Sequence, residues 1–280
     1  MRLKTSRAMS FAVVLLTVLA VGCSSQDSSA PHFAAEISGP EQEAAYVCGL
    51  IEHFDYFRDR GYTPELPDHP AVDAILREQF QGSFEEEDCA SLSHVFEELY
   101  DRSGYTRAHR KVVRILPRAE QAYGVFLEYK KQWGFRVADQ YMVLLTLYGP
   151  GGMFDPQEGI IWLMITDAGS FKMNDDPTYT IVHEATHIGI DEPIVRRFGL
   201  SQAVSERIVD RFIVDHFGEI LPEYQMQEMG DPAIDPYLNH RDSWERLPEY
   251  IGQYVEESAL VQPGMPDSVL VSAEMVIDSP

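Results

Sequence analysis

From Thr180 to Gly189 the chain reads Thr-Ile-Val-His-Glu-Ala-Thr-His-Ile-Gly, and no other stretch restricts the fold as much. His183 and His187 are four residues apart, and on a helix such positions lie one above the other on a single face. Their ring nitrogens can reach one point in space, with the Glu184 carboxylate beside them. Ile181, Val182, Ala185, Ile188 and Ile190 surround the three polar side chains and call for a buried helix. Two imidazoles at this spacing suit a zinc ion.

Zinc is usually held tetrahedrally, and a catalytic site keeps one position for water, so two histidines need a third protein ligand. Glu206 is the candidate, with 18 residues between it and His187. That length lets the chain leave the first helix, turn through Asp191-Glu-Pro193 and return as a second helix facing the first. Ser201 reads as the N-cap of that second helix. Asp210 lies one turn beyond Glu206 and can hydrogen-bond the far nitrogen of a ligand histidine.

HEATH, eighteen residues and then Glu-x-x-x-Asp resembles the gluzincin metallopeptidases over about thirty residues. Carried over, the resemblance implies His183, His187 and Glu206 as zinc ligands, Glu184 as general base, and Asp210 as partner of a ligand histidine, His183. It also implies peptide-bond hydrolysis, in which the metal lowers the pKa of water to about 7 and the carboxylate takes the proton. Gly151-Gly-Met-Phe154 stands where gluzincin aminopeptidases carry Gly-x-Met-Glu-Asn. The glutamate that would hold a substrate's amino group is missing there, which favours an endopeptidase. Tyr237 or His240 is expected to stabilise the oxyanion.

The N-terminus supplies an address. Arg2, Lys4 and Arg7 precede an apolar run, Phe11 to Val21, and Ala20-Val-Gly-Cys23 resembles a bacterial lipobox. Residues 1–22 are therefore read as a signal peptide with Cys23 as the lipidated residue, a plain cleaved signal being the alternative. Ser24 after the cysteine favours the outer membrane of a bacterial envelope. Residues 23–39, rich in Ser, Ala and Pro, read as a flexible tether. A lipid bilayer and a peptide or protein substrate are the expected partners.

Nucleic acid is an improbable partner on charge grounds. Asp and Glu number 45 against 22 Lys and Arg, a net charge of -23, and such a surface repels phosphate. With Cys23 assigned to lipid, Cys48 and Cys89 remain as an even pair in an oxidising compartment. Two readings stand, a bridge between N-terminal helices or two buried thiols.

The remaining pattern predicts an α+β, mostly helical, zincin-like domain. Residues 40–134 read as an N-terminal helical lobe, with helices over Glu41 to Tyr62, Ala71 to Phe80, Cys89 to Tyr100 and Arg118 to Trp133, the last started by Pro117. Residues 135–261 read as the metal-binding lobe. Gln140 to Tyr148 and Gly159 to Ile165 are apolar runs bounded by turn signals, as strands would be. Ile160 to Ile165 is either an edge strand for peptide addition or an interior strand, and Trp244 to Glu257 closes the fold. Residues 262–280 read as an extended tail. The alternative function is a non-catalytic zinc-binding envelope lipoprotein, against which an intact Glu184 argues, since binding alone needs no base.

Overall fold

The two apolar runs become neighbouring parallel strands. The computed structural model describes residues 31–261. Within them β1 (Phe33–Ile37), β2 (Tyr141–Thr146), β3 (Met153–Asp155) and β4 (Ile160–Met164) form one sheet in the order β1-β2-β4-β3. β1 and β4 pair parallel with β2, and β3 returns antiparallel on β4. Parallel strands covered on both faces read as near-continuous apolar runs rather than alternations. That is why Tyr-Met-Val-Leu-Leu-Thr and Ile-Ile-Trp-Leu-Met stand out in the chain.

The helices, in chain order, are α1 (Pro40–Glu52), α2 (Phe54–Asp59), α3 (Pro70–Gln81), α4 (Leu92–Leu99), α5 (Arg102–Trp133), α6 (Thr178–Ile190), α7 (Gln202–Phe217), α8 (Asp235–Leu238) and α9 (Leu247–Val261). The fold class is α+β, mostly helical, as the periodicity predicts. Among the described residues no helix is long and apolar enough to cross a membrane. The signal peptide, Cys23 and the tail at 262–280 lie outside the described residues.

α5 is twice as long as the sequence pattern predicts, because Pro117 sits inside it rather than at its start. An interior proline removes one helical hydrogen bond and costs about 3 kcal/mol. Packing offsets that cost, since Tyr105, Ala108, Val112, Ala119, Ala122, Phe126 and Tyr129 form one buried stripe that runs past the proline. The helix stops at Gly134, whose φ of 87° a side chain would resist.

α5 shares its core with β1, β2 and α6, so the helix that closes the expected N-terminal lobe belongs to the same packing unit as the HEATH helix. α1, α3 and α4 form a smaller apolar cluster built on Val47, Ile51, Val72, Ile75, Leu92 and Phe96.

One expectation is corrected. The tether does not extend to residue 39, because Phe33–Ile37 is a strand in register with Tyr141–Leu145. Its Phe33 stacks on Tyr141, and His109 of α5 bonds the Ala35 carbonyl at 3.0 Å. Phe-Ala-Ala-Glu-Ile carries little intrinsic strand preference, and only the β2 edge selects it. Of the two readings of Ile160 to Ile165, the interior strand is the one that forms. β4 lies between β2 and β3, and the edge strands are β1 and β3, the latter being three residues inside the stretch read as a turn.

Cys48 of α1 and Cys89 are bridged, with Cα atoms 5.7 Å apart. The bond closes a loop of 41 residues in sequence separation, worth about 4 kcal/mol on the loop-entropy model. Replacing both cysteines by serine is therefore expected to lower unfolding free energy by about 2 to 4 kcal/mol in denaturant titrations.

A buried acid joins α1 to the sheet. Glu43 accepts from Thr146 Oγ1 at 3.0 Å, and burial pushes its carboxyl up from 4.5 to about 8. The unfolded chain ionises Glu43 near 4.5 while the folded chain keeps the proton until about 8. The stability this group contributes is thus complete below pH 4.5 and is lost as pH rises through 8. Thermal melting across pH 5 to 9 should fall more steeply for the wild type than for Glu43→Gln, by a few kcal/mol on the order expected from such a shift.

Candidate metal centre

α6 lies nearly buried all round, and its one polar face presents His183, Glu184 and His187. It runs on into a π-helical segment, Asp191–Arg196, and the chain then reverses into α7, capped by Ser201 Oγ accepting from Val204 N. α7 packs on α6 and carries Glu206 on the facing side. The pair of converging helices is the arrangement that the spacing predicts.

His183 Nε2 and His187 Nε2 are 3.1 Å apart. Glu206 Oε2 lies 3.2 Å from the first and 3.3 Å from the second. Tetrahedral zinc with bonds of 2.0–2.1 Å would set its ligand atoms about 3.3–3.4 Å apart. All three residues are buried and could hold a metal ion together.

The hydrogen bonds around the triad fix its protons. Tyr224 donates its hydroxyl to Asp210 Oδ1 at 2.6 Å, so the phenol oxygen can only accept from His183 Nδ1, 2.7 Å away. With Nδ1 donating to Tyr224, His183 turns its Nε2 toward His187 and Glu206. Ser205 Oγ stands 3.4 Å from His187 Nδ1, and Gln202 Nε2 donates to Glu206 Oε1 at 2.6 Å. Two imidazole nitrogens and a carboxylate oxygen converge, a donor set that could hold a cation. Burial alone would raise the Glu206 carboxyl, but the two histidines, by charge and hydrogen bond, hold it far below the usual range.

Asp210 occupies the place expected of it with one correction. Its Oδ1 is 3.7 Å from His183 Nδ1, too far for a hydrogen bond, and the Tyr224 hydroxyl bridges the gap. Asp210 also accepts from Gln227 N at 2.6 Å, so both of its oxygens hold the segment after α7. Burial pushes its carboxyl up.

Glu184 is 7 % exposed and lines a cavity of about 730 Å³ together with Gly152, Tyr179, Thr180, His183 and Tyr224. Burial pushes its carboxyl from 4.5 to about 7, with the His183 charge opposing and Glu206 adding. Gly152, just before β3, and Phe154, within it, pack against the HEATH helix. Phe154 stacks on His187 with ring centroids 5.1 Å apart, and a Cβ at Gly152 would collide with Glu184 Oε1 and approach Thr180 Cγ2 to 2.8 Å. Gly152→Ala is expected to push the carboxylate aside, lowering any hydrolytic kcat about a hundredfold while metal content stays at wild-type level.

Tyr237 and His240 are not brought to the site. The Tyr237 hydroxyl donates to Glu257 at 2.7 Å, the His240 ring stacks on Tyr250, and neither lines the cavity. Their place beside α9 was invisible to a reading that used only residue type. His53, His69, His94 and His109 also lie outside the triad.

Several residues at the site carry weak sequence signals. Gln202 stands one turn before Glu206 and could have been found by that spacing. Tyr224 and Gln227 sit in an irregular segment with no periodicity. Tyr62 arrives from the loop after α2, its hydroxyl donating to Met229 Sδ at 3.3 Å. Burial pushes its phenol up, and the charges of Glu206 and Glu184 add to the effect. Comparison of the chain with protein-family models, with curated proteins and with solved structures finds no match.

Proposed function

We propose that the chain is a zinc-dependent endopeptidase, carried on a lipid anchor at Cys23 and acting on peptides or proteins in the bacterial cell envelope. One observation carries the reading: His183 Nε2, His187 Nε2 and Glu206 Oε2 converge within 3.1–3.3 Å, close to the spacing of ligand atoms around one tetrahedral ion. Zinc bound there would acidify water and polarise a substrate carbonyl.

The chain's own residues supply the rest. Glu184, beside the ligands and open to the cavity, accepts the proton of the attacking water and passes it to the leaving amine. Tyr224 and Asp210 hold His183 in the tautomer that keeps Nε2 free. The outer edge of β3 gives an extended peptide a strand to pair with, next to Glu184 through Gly152. Phe154 supplies no carboxylate for a free amino terminus, which supports cleavage within a chain over removal of its first residue.

The test is hydrolysis of a random peptide library by the purified protein, with zinc measured in the same sample. One zinc per chain, internal cleavage, loss of cleavage with a chelator and recovery with added zinc are expected. One zinc with no cleavage would favour the non-catalytic lipoprotein reading, and no bound metal would remove both.

A further inference from the structure

Resting on the metal reading above, we propose that Gln227 is a fourth protein ligand, closing the position a hydrolytic site leaves for water, so that the centre is latent until that side chain is displaced. Gln227 Nε2 lies 3.2 Å from His183 Nε2, the atom that faces Glu206 and His187. A carboxamide carries a donor and an acceptor that exchange places by a half-turn about its last bond. The same side-chain position therefore serves an oxygen toward a cation.

The backbone around Gln227 is anchored. Gln227 N donates to Asp210 Oδ2 at 2.6 Å, and the Tyr224 hydroxyl takes the other oxygen of the same fully buried carboxylate. Farther along, Asp231 N bonds the Ala203 carbonyl at 2.8 Å. A Cβ on Gly230 would stand 3.2 Å from the Arg207 backbone, so the segment runs close along α7. Across the site, Met229 receives the Tyr62 hydroxyl from the loop after α2. A segment tied to α7 on one side and to Tyr62 on the other lies over the triad, with Gln227 facing the ligand histidine.

The two kinds of bond differ in strength. The Asp210 contacts are buried and charge-assisted, whereas the Tyr62 to Met229 contact is exposed and uses a weak sulfur acceptor. The Gln227 side chain can thus turn away from the triad while Tyr224 keeps His183 in place. A substrate entering along β3 competes with a neutral amide rather than with a charged ligand.

The experiment uses the full chain loaded with Co²⁺, titrated with acetohydroxamate and followed by its visible spectrum. Acetohydroxamate needs an open position on the metal, so a closed form present about nine-tenths of the time weakens its apparent affinity about tenfold. Gln227→Ala is expected to bind the probe about tenfold or more tighter than the wild type. Gln227→Glu, which replaces the amide by an anion of the same length, is expected to bind it about tenfold weaker, and it keeps the test decisive if the alanine variant fails to fold. Equal affinities in wild type and variants would overturn the proposal while leaving the metal site intact. A wild type that takes up no Co²⁺ would instead overturn the metal reading, and this proposal with it.

Discussion

Glu184→Gln should lower kcat for peptide hydrolysis by about a thousandfold or more, with zinc content unchanged and KM within a few-fold of wild type. Glutamine copies the shape of the side chain and its place between Gly152 and Thr180, but it cannot accept a proton. The metal triad does not include Glu184, so the ligand set survives. The stability readout separates a chemical role from a structural one. Burial already penalises the ionised carboxylate, raising it to about 7, so a neutral amide relieves the fold above neutral pH. The variant should melt no earlier than wild type at pH 8. Full activity in Glu184→Gln would sink the hydrolytic mechanism, and a large drop in melting temperature would assign the residue to packing instead.

Glu206→Ala should weaken zinc binding by roughly a thousandfold or more, measured by competition with a chromogenic chelator, because it removes the only anion of the triad. The carboxylate also satisfies Gln202 Nε2, and deleting it leaves that amide without its partner. A loss of about 1 to 3 kcal/mol in the metal-free protein is expected from that orphaned group. Asp210→Asn tests a different link, acting on His183 only through Tyr224, and belongs with the effects of tens-fold that distant partners of a metal ligand produce. An unchanged zinc affinity in Glu206→Ala would mean that the convergence of the three side chains has nothing to do with metal.

The legible part of the site was the part written in helical spacing. His183 and His187 share a face because they are four apart, and Glu206 and Asp210 share one for the same reason. What spacing cannot supply is the partner that comes from outside a helix. Asp210 was read as touching His183 directly, and the 3.7 Å between them is filled by a tyrosine from an aperiodic segment. Tyr237 and His240 were chosen by residue type alone, and the chain turned them toward α9.

The fold divides along the same line. β2 and β4 were legible because both faces are covered and their side chains are nearly all apolar. β1 and β3 were not, since one resembles a linker in composition and the other has three residues. Pro117 misled for a related reason: a local helix breaker is overruled where a buried stripe continues on either side of it.

Local periodicity, which depends only on neighbours a few residues apart, by itself determined the helical HEATH element, the mostly helical class and the shared faces of His183 with His187 and of Glu206 with Asp210. Tertiary structure alone decided which strands form the edges, which tyrosine holds His183, and that Gln227 reaches His183 while Tyr62 reaches Met229. Those contacts join residues as far apart as Tyr62 and Met229, and they arise only when the core on α5 and the sheet brings separate segments together.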